Sequence, residues 1–239
     1  MVFAKRGVGK SWFCMCLAIA ISEKHNKFCG WNVHEHGPVL YIDGEMTLTD
    51  IKTRFSQLSD QSTPNENLMI LPSETLFRDS VPVRIDEANE RQAIKHLLNR
   101  LSSEGRRPKL IILDNLSTLR GSGRDENSNT DEEPLMTFLN ELRHEGYAVL
   151  VVHHAGKNGS QRGASKKEDI MDYVIQLESS EPAKSEGAAF KLSFSKVRNK
   201  EPKPEVIDCK LLEDEKRKLH LTTSIADNVL GKKRLILKA

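Results

Sequence analysis

Ala4-Lys5-Arg6-Gly7-Val8-Gly9-Lys10-Ser11-Trp12 decides how the rest of the chain is read. The string fits G-x-x-x-x-G-K-[ST], with Ala4 standing where the pattern has its first glycine. Each part has a physical task. Gly7 and Gly9 free the backbone to aim successive N–H groups at phosphate oxygens, and a helix opening at Ser11 turns its positive end toward the same anion. Lys10 is placed to reach the β- and γ-phosphates of a nucleoside triphosphate, and the Ser11 hydroxyl to ligate Mg²⁺. Ala4 to Trp12 are therefore the candidate nucleotide-binding residues.

A competing reading of the same segment is a secretory signal, because Lys5, Arg6 and Lys10 precede the apolar run Trp12 to Ile21. The glycines and the Lys-Ser pair set among the basic residues speak for the phosphate loop. The run has ten residues. A bilayer span needs ~20, so a membrane anchor is excluded and a cytoplasmic protein is expected. Four cysteines (Cys14, Cys16, Cys29, Cys209) form no C-x-x-C pair and read as reduced thiols. The 36 Lys+Arg against 34 Asp+Glu leave a net charge of +2, so any nucleic-acid contact must come from a local patch.

Beyond the loop, apolar runs of strand length alternate with segments of helical period, the pattern of an α/β domain with a mostly parallel sheet. A clipped first strand is expected at Met1 to Ala4. Helices are expected over Ser11 to Glu23, Thr49 to Leu58, Glu87 to Ser103 and Glu133 to His144. Strands are expected at Val39 to Asp43, Leu68 to Leu71, Leu110 to Leu113 and Ala148 to Val152. Shorter alternating segments follow, at Phe190 to Phe194, Val206 to Leu212 and Leu219 to Leu221. This gives one domain over residues 1–224 with a β extension from about residue 188, then a basic, flexible tail over 225–239.

Two strands deliver acids. Lys109-Leu-Ile-Ile-Leu-Asp114 is an apolar run ending in a carboxylate, which in the P-loop class holds the metal. A turn-forming Asp after a buried strand is the plainer alternative. Val39-Leu-Tyr-Ile-Asp43-Gly44-Glu45 brings further acids to the carboxyl edge of the sheet, where doubly wound folds bind ligands. Because Asn115 rather than an acid follows Asp114, Glu45 is the candidate to orient an attacking water.

These residues resemble the RecA-like P-loop ATPases, in the branch of the RepA-type hexameric replicative helicases (AAA_25-like), with kinship to DnaB helicases. The likeness runs from Ala4 to about Leu212. It matches Glu45-Met46 to a catalytic glutamate that ends the second strand, and Asp114-Asn115-Leu-Ser to the Walker B end. Val151-Val-His153-His154 resembles the strand whose terminal polar residue senses the γ-phosphate. Strand alternation points one of the two histidines at the site, and His154 is preferred. The other readings of the pair are surface residues or, with a third ligand, a metal site.

Gly159-Ser-Gln161-Arg162-Gly163 is similar to the mobile loop that faces DNA in the central channel, which makes Lys157, Gln161 and Arg162 candidate DNA contacts. A cationic loop among Gly and Ser suits backbone phosphates and lacks base-reading equipment. A merely solvated loop is the alternative. Ser195-Lys196-Val197-Arg198 resembles the Lys-x-Arg finger of DnaB-type helicases, which reaches the neighbouring subunit's nucleotide. The same two cations would also protect an exposed strand edge. The resemblance implies ATP and Mg²⁺ as cofactors, single-stranded DNA as partner, a homo-oligomer with a hexamer favoured, and DNA translocation. A recombination filament ATPase of the same fold and a nucleotide-dependent scaffold with little turnover are the rival readings.

Overall fold

The computed structural model describes residues 1–61, 65–78, 83–120, 129–155, 169–180, 188–198 and 205–225. The candidate DNA contacts Lys157, Gln161 and Arg162, and the tail beyond Ile225, lie outside them.

The apolar run Val2–Ala4 forms β1, and Lys10–Ser22 forms α1 directly after the glycine loop. A hairpin of two short strands follows, β2 (Lys27–Phe28) and β3 (Trp31–Asn32), which the sequence pattern did not announce. Next come β4 (Val39–Asp43), α2 (Leu48–Leu58), β5 (Leu68–Pro72) and the short α3 (Ser73–Arg78). The chain continues with α4 (Ala88–Ser103), β6 (Leu110–Asp114), α5 (Asn129–His144) and β7 (Ala148–His154). It closes with β8 (Tyr173–Ser179), β9 (Ala189–Val197), β10 (Ile207–Glu213) and β11 (Leu219–Ile225).

Nine strands make one sheet in the order β11-β10-β9-β8-β1-β7-β6-β4-β5. From β5 to β8 every pairing is parallel, and from β8 to β11 every pairing is antiparallel. The expected α/β class with an antiparallel C-terminal extension is the observed one.

β4 and β6 are buried along their whole length, which is why they read as unbroken apolar runs. Alternate residues feed two cores. Val39, Tyr41 and Ile112 pack with α1 and α2 on one face. Leu40, Ile42 and Ile111 pack with α4 and α5 on the other. The chain leaves β1, passes through α1 and enters the sheet again at β4, with β7 and β6 between them, so a crevice opens above the carboxyl ends of β1, β7, β6 and β4. Among the described residues, no helix is long and apolar enough to cross a membrane.

Candidate active site

Gly9 caps α1 in a left-handed conformation with φ of 114°, and a Cβ there would lie 2.9 Å from the Ala188 Cβ. Any larger residue meets both a backbone penalty and the start of β9. The loop this glycine shapes opens a cleft of about 300 Å³, lined by Arg6, Gly7, Gly9, Lys10, Ser11 and Trp12. Its other walls come from Glu45, Met46, Arg54, Asp114, Asn115 and His154. Ala4, Lys5 and Val8 line a separate crevice, shared with Gln176 and Glu178 of β8.

Lys10 is buried, and its ammonium donates to the carbonyls of Ala4 at 3.0 Å and Lys5 at 2.9 Å. Burial lowers its pKa, while Asp114 and Glu45 act in the opposite sense. An ammonium has three donors, so the two carbonyls leave one for an anion in the cleft that Lys10 lines.

Asp114 is 3 % exposed, and its carboxylate accepts from the Tyr41 hydroxyl at 2.6 Å and from Ser11. Burial raises its pKa, and the two hydroxyl donors pull it back down. Ser11 and Asp114 thus place a hydroxyl and a carboxylate side by side. Mg²⁺ is a hard cation that keeps several waters and takes one or two carboxylates plus substrate phosphates, and this donor pair fits it. Among the described residues no cluster of three His, Cys, Asp or Glu forms a protein-only metal cage.

Glu45 stands at the end of β4, its Oε2 2.7 Å from the Asn115 Nδ2 and 3.9 Å from the His154 Nε2. His154 pairs in register with Ala4 and lines the cleft. His153 pairs with Phe3, faces the other side of the sheet and is 2 % exposed. Asp43, also buried, holds the backbone N–H groups of Glu45 and Met46 on its Oδ1, at 3.0 and 2.7 Å. Burial pushes its pKa up to about 7, against the pull of the Met46 amide.

Two cleft residues escaped the sequence reading. The Arg54 guanidinium lies 4.9 Å over the Trp12 ring at the cleft wall, a cation–π pair. Its signal was positional. Arg54 falls three residues after Ile51 and four before Leu58, both buried on α2, so it shares their inward stripe. Asn115 was noted for not being an acid, and its amide turns out to touch Glu45.

Lys196 and Arg198 are not in the cleft. Lys196 sits near the end of β9 opposite Val174, and Arg198 follows the strand, its N–H donating to the Asp172 carbonyl. The Arg198 guanidinium pairs with the Asp172 carboxylate at 3.2 Å and donates to the Asp169 carbonyl at 2.7 Å. Val2 pairs with Ile175, so the loop after Ala4 is level with Leu177, five residues along from Asp172. At ~3.3 Å per residue, Arg198 lies ~17 Å and Lys196, opposite Val174, ~10 Å back along the strands from the level of the chain's own phosphate loop, toward the opposite edge of the sheet.

Residues 1–160 match the family model of the AAA_25 domain, described as an AAA domain. The chain belongs to that family. Its fold is similar to that of the flagellar accessory protein FlaH from Methanocaldococcus jannaschii (12 % identity, TM-score 0.57, covering 93 % of this chain and 88 % of that one). It is equally similar to that of the KaiC-like protein PH0186 from the hyperthermophilic archaeon Pyrococcus horikoshii OT3 (14 % identity, TM-score 0.56, covering 92 % and 87 %). No curated protein matches. Together the family and the fold support a RecA-like P-loop ATPase.

Proposed function

We propose that this chain is a Mg²⁺-dependent ATPase that assembles head to tail, completes each site from two subunits, and couples hydrolysis to movement along single-stranded DNA as a replicative helicase. One observation carries the reading. Lys10, Ser11, Asp114 and Glu45 converge on one cleft, while the only Lys-x-Arg pair at a described strand end, Lys196 and Arg198, sits at the far edge of the same sheet.

In this mechanism Lys10 and the loop amides bind the β- and γ-phosphates, and Ser11 and Asp114 hold the metal. Held by Ser11 and Asp114, Mg²⁺ would supply positive charge that offsets the charge of the phosphates. Glu45 orients water for in-line attack, and Trp12 with Arg54 offers a flat cationic platform for the base. His154, one residue ahead of Ala155 and the cationic segment that follows, reports whether the γ-phosphate is present. Lys196 and Arg198 stabilise transition-state charge in the neighbour's cleft. Six subunits in a ring would give each cleft such a neighbour.

The test is steady-state ATP hydrolysis with and without single-stranded DNA across protein concentration, beside a sizing measurement. Turnover per subunit that steepens with assembly and rises with DNA is expected. Turnover independent of both would remove the helicase reading, and bound ATP without turnover would favour a nucleotide-dependent scaffold.

A further inference from the structure

The turn after β6 does more than present Asp114. Asn115 is 1 % exposed, and its Oδ1 accepts the N–H groups of Ser117 at 3.0 Å and Thr118 at 3.2 Å. An atom that accepts from two amides is the oxygen, so the orientation of the carboxamide is set by chemistry. Its NH₂ must then point the other way, and there it meets the Glu45 Oε2 at 2.7 Å.

The turn that carries Glu45 is locked against this one. The Gly44 N–H donates to the Asp114 carbonyl at 2.8 Å, and a Cβ on Gly44 would lie 2.5 Å from the Thr118 Oγ1. Backbone is thereby fixed on both sides, but the Glu45 side chain is 57 % exposed and gains little from packing. A long carboxylate in that position samples several rotamers, and a group that must hold a water within hydrogen-bond reach loses rate when it does.

We propose that Asn115 is a positioning residue for hydrolysis: its amide, held by the Ser117 and Thr118 N–H groups, fixes the Glu45 carboxylate by one oxygen and leaves the other to hold the attacking water. The inference rests on the ATPase reading of Glu45 and adds the residue that aims it. In the sheet order β7-β6-β4, Asn115 directly follows the middle strand, while His154 ends β7 and Glu45 follows β4. One immobile amide therefore sits between the groups assigned to sensing and to chemistry.

Asn115→Ser separates the two duties. A serine hydroxyl accepts from the same turn N–H groups but is too short to reach Glu45. We expect kcat to fall about thirtyfold with nucleotide affinity changed less than about threefold and the thermal midpoint unmoved, as for a misplaced but intact catalytic group. In a Glu45→Gln background the same substitution should cost nothing further, since the group it aims is already disabled. Wild-type turnover in Asn115→Ser, or a loss that adds in full to that of Glu45→Gln, would overturn the proposal. If the serine variant fails to fold, Asn115→Asp keeps the oxygen that accepts both turn N–H groups and the residue's size. It should bind nucleotide in the absence of divalent metal and turn over poorly, and wild-type turnover in it is equally fatal. A Glu45→Gln protein that hydrolyses ATP at the wild-type rate would instead bring down the reading of Glu45, and this inference with it.

Discussion

The parallel and antiparallel halves of the sheet handle their strand ends in opposite ways. In the parallel half, β1, β4, β6 and β7 all finish at one edge, so the phosphate loop, Glu45, Asp114 and His154 gather in a single cleft although they are far apart in the chain. In the antiparallel half, direction alternates, and β9 runs back to deposit Lys196 and Arg198 at the other edge. A parallel sheet concentrates chemistry within its own subunit. An antiparallel extension places its strand ends away from that cleft.

The largest effect should come from breaking the antiparallel half. Arg198→Ala is expected to lower turnover about a thousandfold, the scale of a charge-stabilising finger, with ATP binding nearly intact. The exposed Arg198–Asp172 pair it removes is worth little to stability, so the thermal midpoint should hold. Kinetics alongside equilibrium nucleotide binding check both parts, and undiminished turnover would confine catalysis to the parallel half. Next in size, Glu45→Gln should cost about a hundredfold in kcat, the scale of a lost general base, with binding retained.

Smaller still, Arg54→Ala should raise KM for ATP about tenfold at constant kcat, because a base platform binds ground and transition states alike. An unchanged KM would place the base elsewhere. The smallest effect is a pH dependence. Asp43, raised to about 7 by burial, holds its proton more tightly in the folded chain than in the unfolded one, where the ordinary value is 3.8. Its contribution to stability is fully present below that ordinary value and is lost as pH rises through about 7. Thermal scans between pH 5 and 8 should show a decline that is shallower in Asp43→Asn by about 3 °C.

How much of this was legible follows from the same contrast. The parallel strands are buried on both faces and announce themselves as apolar runs, and β4 is found within the limits its sequence implied. β8 was missed although it pairs with β1. A register shift between Val174 and Ile175 leaves its buried residues, Val174 and Leu177, three apart, which breaks the strand period of two. The two-residue strands Lys27–Phe28 and Trp31–Asn32 are too short for any period to show. At the site, the residues whose chemistry is unusual for their position, Lys10 after glycines and acids after apolar strands, could be picked out directly. Asn115 and Arg54 could not. An amide and a surface cation are ordinary residues, and only the turn that orients one and the ring beneath the other mark them out.

A shared site requires the cleft of one subunit and the Lys196/Arg198 pair of another. Mixing Glu45→Gln protein with Arg198→Ala protein tests this directly. Each alone should be nearly inactive, yet a mixed assembly contains interfaces where an intact Glu45 meets an intact Arg198. In a random equimolar mixture about a quarter of head-to-tail interfaces are of that kind, and about a quarter of wild-type turnover should return. Turnover that stays at the level of the separate variants, in assemblies shown to exchange subunits, would contradict the shared site.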